Sequence, residues 1–271
     1  MEELLKIENL SVCIHAPTGK VQAVRDVSFA LHPGEVLAIV GESGCGKSML
    51  CKTIMKLLPK SAKIEGGKIV ANGVDITDYS DKDMRKLRGK LFSMIFQDPM
   101  SFLNPVLTIE KQLIEPILNH RKKLNRDQLH TIAVELLTRV GIPSPAERLK
   151  QYPHQLSGGM RQRAALIRTL ALDPNVLLLD EPFSALDYQT RLSVCDDVYK
   201  IIRSEKKTAL LITHDISEAI SVADKIVVLS ARPARVLAYH DVSFPETEPL
   251  KRRENKEFSK WFETLWRELN A

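Results

Sequence analysis

Apolar and polar positions along the chain alternate between short strand-like runs and amphipathic helical stretches. Residues 4–12 and 21–31 show partial period-two alternation around a turn at 16–19, which predicts two antiparallel strands. Pro33-Gly34 turns the chain into an apolar run at 35–40, a buried strand, and 49–58 follows at helical spacing. Residues 64–76 predict a second hairpin, punctuated by Gly66, Gly67 and Gly73. A charged helix over 78–90 ends near Gly89, and 91–96 returns as a short strand that delivers Gln97 at its carboxyl end; Asp98-Pro99 and Asn104-Pro105 break regular structure beyond it. From about 108 to 149 the period is helical throughout, with helices over 109–120 and 126–140, the second ending at Gly141. A basic-then-apolar helix runs from Leu156-Ser-Gly-Gly-Met160 through 172. Strands at 175–180, 208–213 and 225–229, with a helix at 216–223, have wholly apolar interiors, as in a parallel sheet covered on both faces. A last strand is expected at 239–244. Phe258, Trp261, Phe262, Leu265, Trp266 and Leu269 then fall on one helical stripe, read as a terminal helix docked on its own domain in preference to a membrane or partner contact.

Between the strand at 35–40 and the next helix lies Gly41-Glu42-Ser43-Gly44-Cys45-Gly46-Lys47-Ser48, followed by Met49. Glycines let backbone N–H groups turn inward around a phosphate chain, and the helix start adds unpaired N–H groups and its dipole. Lys47 then reaches the β- and γ-phosphates and the Ser48 hydroxyl ligates Mg²⁺. Four strand ends, at Val40, Phe96, Leu179 and Thr213, offer polar residues to a single crevice, where open α/β sheets bind ligands. Asp180 is placed to hold Mg²⁺ directly or through water, Glu181 to polarise an attacking water, His214 to bond the γ-phosphate, and Gln97 to contact metal or water. Singly, Gln97 or His214 reads equally well as a satisfied polar residue at a strand end, and Asp180-Glu181 as a helix cap. Their common order behind a phosphate loop favours the chemistry.

Composition narrows the class without choosing the function. At 271 residues, 44% hydrophobic and 27% charged, the chain holds one large α/β domain with an insertion or two modest domains. No apolar run reaches the ~18 residues a bilayer span needs, and the Met1-Glu2-Glu3 start is unlike a secretory signal, so a cytosolic protein is expected. The net charge of +5 is mild and spread out; it suits anionic headgroups but gives no indication of nucleic acid. Cys13, Cys45, Cys51 and Cys195 form no metal-type pair and are expected to be buried. Without repeats there is one nucleotide-binding unit per chain.

Leu156-Ser-Gly-Gly-Met-Arg-Gln-Arg163 is similar to the signature of ATP-binding cassette (ABC) ATPases, and the other motifs fit that family over roughly residues 4–235. By resemblance, 41–48 is the Walker A loop, Gln97 the Q-loop glutamine, Leu177-Leu-Leu-Asp-Glu181 Walker B with the catalytic glutamate, Ser184-Ala-Leu-Asp187 the D-loop and His214 the switch histidine. The resemblance implies an α/β fold: a RecA-like P-loop NTPase core with an antiparallel β subdomain and an inserted helical subdomain at about 98–165. Residues 1–240 would form the nucleotide-binding domain and 241–271 a tail with an amphipathic helix. It further implies ATP and Mg²⁺, catalytic roles for Glu181, His214, Gln97 and Lys47, and a Mg²⁺ site from Ser48, Gln97 and Asp180. Ser157, Gly158, Gly159 and Asp187 would serve the ATP of a second ATPase subunit, identical or paralogous, in a head-to-tail pair.

Membrane permeases and an extracytoplasmic solute-binding protein are the implied partners, with the chain at the cytoplasmic face of the membrane. Where the family stacks adenine on an aromatic, this chain has Ile14 and His15. Cys45 replaces a common serine, and a thiol beside Lys47 and helix N–H groups is set up for oxidation that would block ATP binding.

The two halves resemble different importers. Met94-Ile-Phe-Gln-Asp-Pro-Met100, Leu103-Asn-Pro-Val106 and Tyr152-Pro-His-Gln155 look like peptide and nickel importer ATPases. Ile216-Ser-Glu-Ala-Ile220, Leu229-Ser-Ala-Arg-Pro233 and the terminal helix look like nitrate, sulfonate and taurine importer ATPases, and the cysteine-containing tail of many peptide-importer ATPases is not seen. The alternative is a non-transport ABC ATPase with a regulatory or nucleic-acid-linked role, which the short insertion and single motif set disfavour.

Overall fold

The computed structural model describes residues 2–17, 19–97, 103–120, 124–184, 186–245 and 248–270. The chain begins with β1 (Leu5–Ala16) and β2 (Gly19–Leu31), then β3 (Val36–Val40) and helix α1 (Lys47–Ile54). Next come β4 (Ala62–Ala71), β5 (Val74–Asp75), α2 (Asp81–Leu87) and β6 (Phe92–Ile95). The helical stretch follows as α3 (Ile109–His120), α4 (Arg126–Arg139), α5 (Pro145–Arg148) and α6 (Gly158–Leu170). Strand and helix then alternate: β7 (Val176–Asp180), α7 (Tyr188–Ser204), β8 (Thr208–Thr213), α8 (Ile216–Val222), β9 (Lys225–Leu229). The chain closes with β10 (Val236–Asp241), α9 (Pro249–Glu254) and α10 (Lys256–Leu269).

One sheet is antiparallel, in the order β2-β1-β4-β5; the other is β10-β9-β3-β8-β7-β6, parallel except for β10. Within the parallel sheet period-two alternation divides the core. Leu37 and Ile39 of β3 face α1 and the antiparallel sheet, while Val36, Ala38 and Val40 face the helices on the other side. The antiparallel sheet needs glycine at one point. Gly67 (φ +87°) passes β1 where its register shifts, and a Cβ there would lie 2.4 Å from the Glu8 carbonyl oxygen.

The insertion packs α3 on α4 through Leu113, Ile117, Leu129 and Ala133, continuous with the core under β7. A capping box, Asn125 with Gln128, starts α4. The buried Gln112 amide donates to the carbonyls of Asn104 and Leu107 (3.0 and 2.9 Å) and accepts from the Asn104 N–H (2.8 Å). That pins the loop entering α3; the expected break at Asp98-Pro99 lies outside the described residues.

Two boundaries differ from the sequence reading. Helix α1 begins at Lys47, because Gly46 (φ +132°) turns the loop straight into it, and ends at Ile54. The last strand is Val236–Asp241 instead of 239–244, because antiparallel pairing with β9 starts where Val236 meets Leu229. Phe244 lies past the strand and meets Phe258, ring centroids 6.5 Å apart.

Helix α10 lies on the chain through one edge. Leu265 is fully buried, Phe258, Trp261, Phe262 and Leu269 are partly covered, and Trp266 stays exposed. His240 on β10 bonds Glu268 at 2.7 Å and meets Trp261 edge-on. The buried Arg252 donates to the Ala223 carbonyl (3.0 Å) and lies over the Tyr199 and Phe244 rings, tying α9 to α8 and α7. Leu265→Ala should therefore lower unfolding stability by about 3 kcal/mol in urea denaturation, whereas Trp266→Ala should change it by less than about 1 kcal/mol.

Candidate functional site

The site is assembled at the carboxyl ends of four neighbouring parallel strands. The loop after β3 wraps the start of α1, and its shape depends on glycine: a Cβ on Gly46 would fall 2.5 Å from the Ala23 carbonyl oxygen. The Lys47 ammonium is buried and donates to the carbonyls of Gly41 and Glu42, both at 2.7 Å. Glu42, Ser43 and Gly44 are exposed at the loop tip, and Cys45 is buried beneath it. With the Cys45 sulfur packed 3.0 Å from where a Cβ on Gly41 would lie, this thiol is buried, as expected for all four cysteines. All four cysteines are buried and unpaired.

Ser48 donates from its hydroxyl to Asp180 Oδ1 at 2.7 Å, joining the start of α1 to the end of β7 across 132 residues. Asp180 is 2% exposed; burial pushes its carboxyl above the usual range, the Ser48 hydrogen bond opposes this, and Glu181 adds to it. A buried carboxylate beside a hydroxyl favours a cation. Among the described residues no cluster of three or more His, Cys, Asp or Glu side chains offers a complete metal cage. Ser48 and Asp180 fit the Mg²⁺ habit of one or two protein oxygens, with phosphate oxygens and water completing the shell.

Glu181 follows β7 in a left-handed conformation, φ +47°. Three bonds hold it there: its N–H donates to the Ile212 carbonyl (2.8 Å), and its own carbonyl accepts from the Ser184 hydroxyl (3.0 Å) and N–H (3.3 Å). Left-handed backbone costs a non-glycine residue about 1–2 kcal/mol. The turn brings Glu181 Oε2 to 3.1 Å from Gln97 Nε2 and 3.3 Å from His214 Nδ1. Three strand ends thus meet on one carboxylate.

Ile14, Ala23, Gly44, Gly46, Lys47, Ser48, Met49, Lys52, Glu181 and Arg232 line a shared cavity of about 160 Å³. Ile14 supplies an apolar wall. His15 is a correction: strand alternation turns it to the other face of β1, half exposed and 3.6 Å from Glu65.

Ser157, Gly158, Gly159 and Asp187 are placed elsewhere. They line a separate cavity of about 520 Å³ with Arg163, Thr190 and Ser193. Ser157 caps α6 by accepting from Met160 N–H (3.3 Å), and Asp187 caps α7 through Thr190 N–H (3.0 Å), which holds its carboxyl below the usual range.

A Walker-type loop, a buried strand-end carboxylate and a second capped helix start are the parts of a nucleotide-binding cassette, and the comparisons agree. Residues 24–184 match the family model described as ABC transporter. The chain belongs to the ABC transporter family. It is 45% identical over 251 residues to the dipeptide transport ATP-binding protein DppD of Bacillus subtilis, covering 92% of this chain and 75% of that protein. To the oligopeptide transport ATP-binding protein OppD of the same organism it is 41% identical over 229 residues, covering 84% of this chain and 64% of that protein. Among solved structures it is similar to the dimeric, post-hydrolysis ATP-binding cassette MJ0796 with ADP and phosphate (TM-score 0.75, 26% identity, 89% and 99% covered). The chain spans about two thirds to three quarters of the length of these curated relatives. The RecA-like core with its antiparallel sheet and helical insertion is that of the family, and ATP with Mg²⁺ is its ligand.

Three residues at this ABC site escaped the sequence reading. Arg232, after β9, reaches the loop and donates to the Gly44 carbonyl at 2.5 Å. Arg191 of α7 donates to the Leu186 carbonyl (2.9 Å) beside Asp187, and lies 3.6 Å from Asp215 and 3.9 Å from Glu218. Buried Glu218 accepts from the Thr213 hydroxyl at 2.7 Å, next to His214. Spacing alone carried no signal for any of them, since their partners come from distant segments.

Burial pushes the Glu218 carboxyl up from 4.5 to about 6, with Thr213 opposing, Asp215 adding, and Arg191 and His214 opposing. The folded chain therefore takes up this proton before the unfolded one. The associated stability is fully present below pH ~4.5 and lost as pH rises through about 6. In urea denaturation between pH 4.5 and 6.5 the wild type should lose about 1.5 kcal/mol relative to Glu218→Gln, whose curve lacks this slope.

Proposed function

We propose that this chain hydrolyses MgATP to power import of a peptide-class solute, as one of a head-to-tail pair of ATPase subunits bound to membrane permeases at their cytoplasmic face. The observation that carries the pairing is the division of the site: the loop cavity and the cavity around Ser157–Gly159 and Asp187 share no lining residue. The start of α6 is an anion-binding terminus with no phosphate loop of its own chain beside it. A second copy, presented head to tail, supplies one. The dimeric form of the MJ0796 cassette supports that arrangement. The peptide class follows the names of DppD and OppD; the DppD match runs through 92% of this chain, including the half that resembles nitrate and taurine importers.

Within the site, Lys47 and the loop N–H groups would grip the triphosphate. Ser48 and Asp180, with Gln97, would hold Mg²⁺, which when bound would supply electrostatic stabilisation of the transferring phosphoryl group. Glu181, whose carboxylate is held by Gln97 and His214, would accept a hydrogen bond from the attacking water, and His214 would also bond the γ-phosphate. Phe96, next to Gln97 in the chain, lines a largely apolar groove of about 320 Å³ between β6, α3 and α6 with Phe92, Met94, Leu103, Pro116 and Ala165. A permease segment seated there would read the closing of the pair. No helix among the described residues is long and apolar enough to cross a membrane, so permeation is assigned to partners. The nucleotide-binding domain is assigned to residues 1–240 and the tail to 241–271.

Glu181→Gln should keep ATP affinity while lowering turnover by about 10²–10³, and should accumulate an ATP-bound dimer in size-exclusion chromatography; a normal rate would overturn its role. Ser157→Arg should leave ATP binding to the monomer intact while abolishing turnover, and an unchanged rate would overturn the shared site. Reconstitution in proteoliposomes with its permease subunits and solute-binding protein should give ATP-dependent uptake of labelled dipeptide, not taurine.

A further inference from the structure

The loop 230–235 sits against the nucleotide cavity for reasons independent of its arginine. Ala234 N–H donates to the Ala23 carbonyl (3.0 Å), Arg25 N–H donates to the Ala234 carbonyl (2.9 Å), and the Ala234 methyl lies 3.3 Å from the Cβ position of Gly46. Ser230 closes the loop, its hydroxyl donating to the Pro233 carbonyl and accepting from Arg235 N–H, both at 3.0 Å. These bonds deliver Arg232 to the mouth of the cavity. There it is exposed, with its guanidinium on the Gly44 carbonyl.

An exposed hydrogen bond of this kind adds little to folding. Its position is better explained by charge. Lys47, Lys52 and Arg232 line the cavity against the single carboxylate of Glu181, which suits a polyanion. The Gly44 bond uses one of the five guanidinium N–H donors, and arginine's planar fork binds phosphate oxygens through paired N–H groups. Lys47 approaches from inside the loop and Arg232 from its outer rim.

Resting on the reading of this cavity as the ATP site, we propose that Arg232 is a phosphate-contacting residue, a second cation that closes over the triphosphate opposite Lys47. The base would be left to the apolar wall at Ile14. The test is calorimetric titration of the full chain with the nonhydrolysable analogue AMP-PNP and, separately, with inorganic tripolyphosphate, for wild type, Arg232→Ala and Arg232→Lys. Arg232→Ala should weaken both ligands by the same factor, about tenfold, and Arg232→Lys should recover part of the loss. The salt dependence of binding should also fall in Arg232→Ala.

Weaker AMP-PNP binding with unchanged tripolyphosphate would assign the arginine to the base and overturn the proposal. Unchanged affinity for both ligands, or a lowered melting temperature of the ligand-free Arg232→Ala chain with unchanged affinity, would reduce it to a brace on Gly44. Lys47→Ala separates the levels of inference. If it binds AMP-PNP as well as the wild type does, the cavity itself has been misread and both readings fall; if it loses binding while Arg232→Ala does not, only the arginine's role falls.

Discussion

The parallel register of the central sheet is the constraint on which the site depends. Val40 pairs with Thr213, Ile212 with Asp180, and Leu179 with Ile95, so β3, β8, β7 and β6 finish at one level. Their interiors are apolar and covered on both faces, where an unpaired charge would cost several kcal/mol. Polar chemistry is therefore confined to the residues just past the strand ends. Lys47, Gln97, Asp180, Glu181 and His214 all belong to that rim.

At the rim, each charged group is held by a bond that also fixes its direction. Lys47 is held by carbonyls of its own loop, Asp180 by Ser48, and Glu181 by a left-handed turn with three hydrogen bonds to its backbone. Beneath His214, Glu218 and Thr213 continue the network, and Arg191 carries it to the carbonyl beside Asp187. The turn that presents His214 and the loop that ends in Asp187 are in this way joined through one guanidinium.

The helical insertion follows a different logic. Its helices share the core of the parallel sheet, yet the start of α6 opens into a cavity that the phosphate loop of the same chain does not enter. On the proposed pairing, the sheet rim and the separated helix start would be two halves of one site, each supplied by a different copy.

Much of this was readable along the chain, because it rests on local physics. Short apolar runs located all the central strands, and the glycines of 41–46 announced a phosphate loop because positive φ and inward N–H groups are properties of a few consecutive residues. The pairing of Asp180 with Glu181 after an apolar run was legible for the same reason. What adjacency could not settle was decided by the fold. Strand alternation, fixed only once β1 had paired with β2 and β4, turned Ile14 to the cavity and His15 away. Pairing with β9 set the limits of β10. Arg232 meets Gly44 across 188 residues, and Arg191 meets Glu218 only because α7 and α8 flank β8. Contacts of that kind follow from the order of strands in a sheet with crossovers, a property of the assembled chain that no stretch of sequence contains.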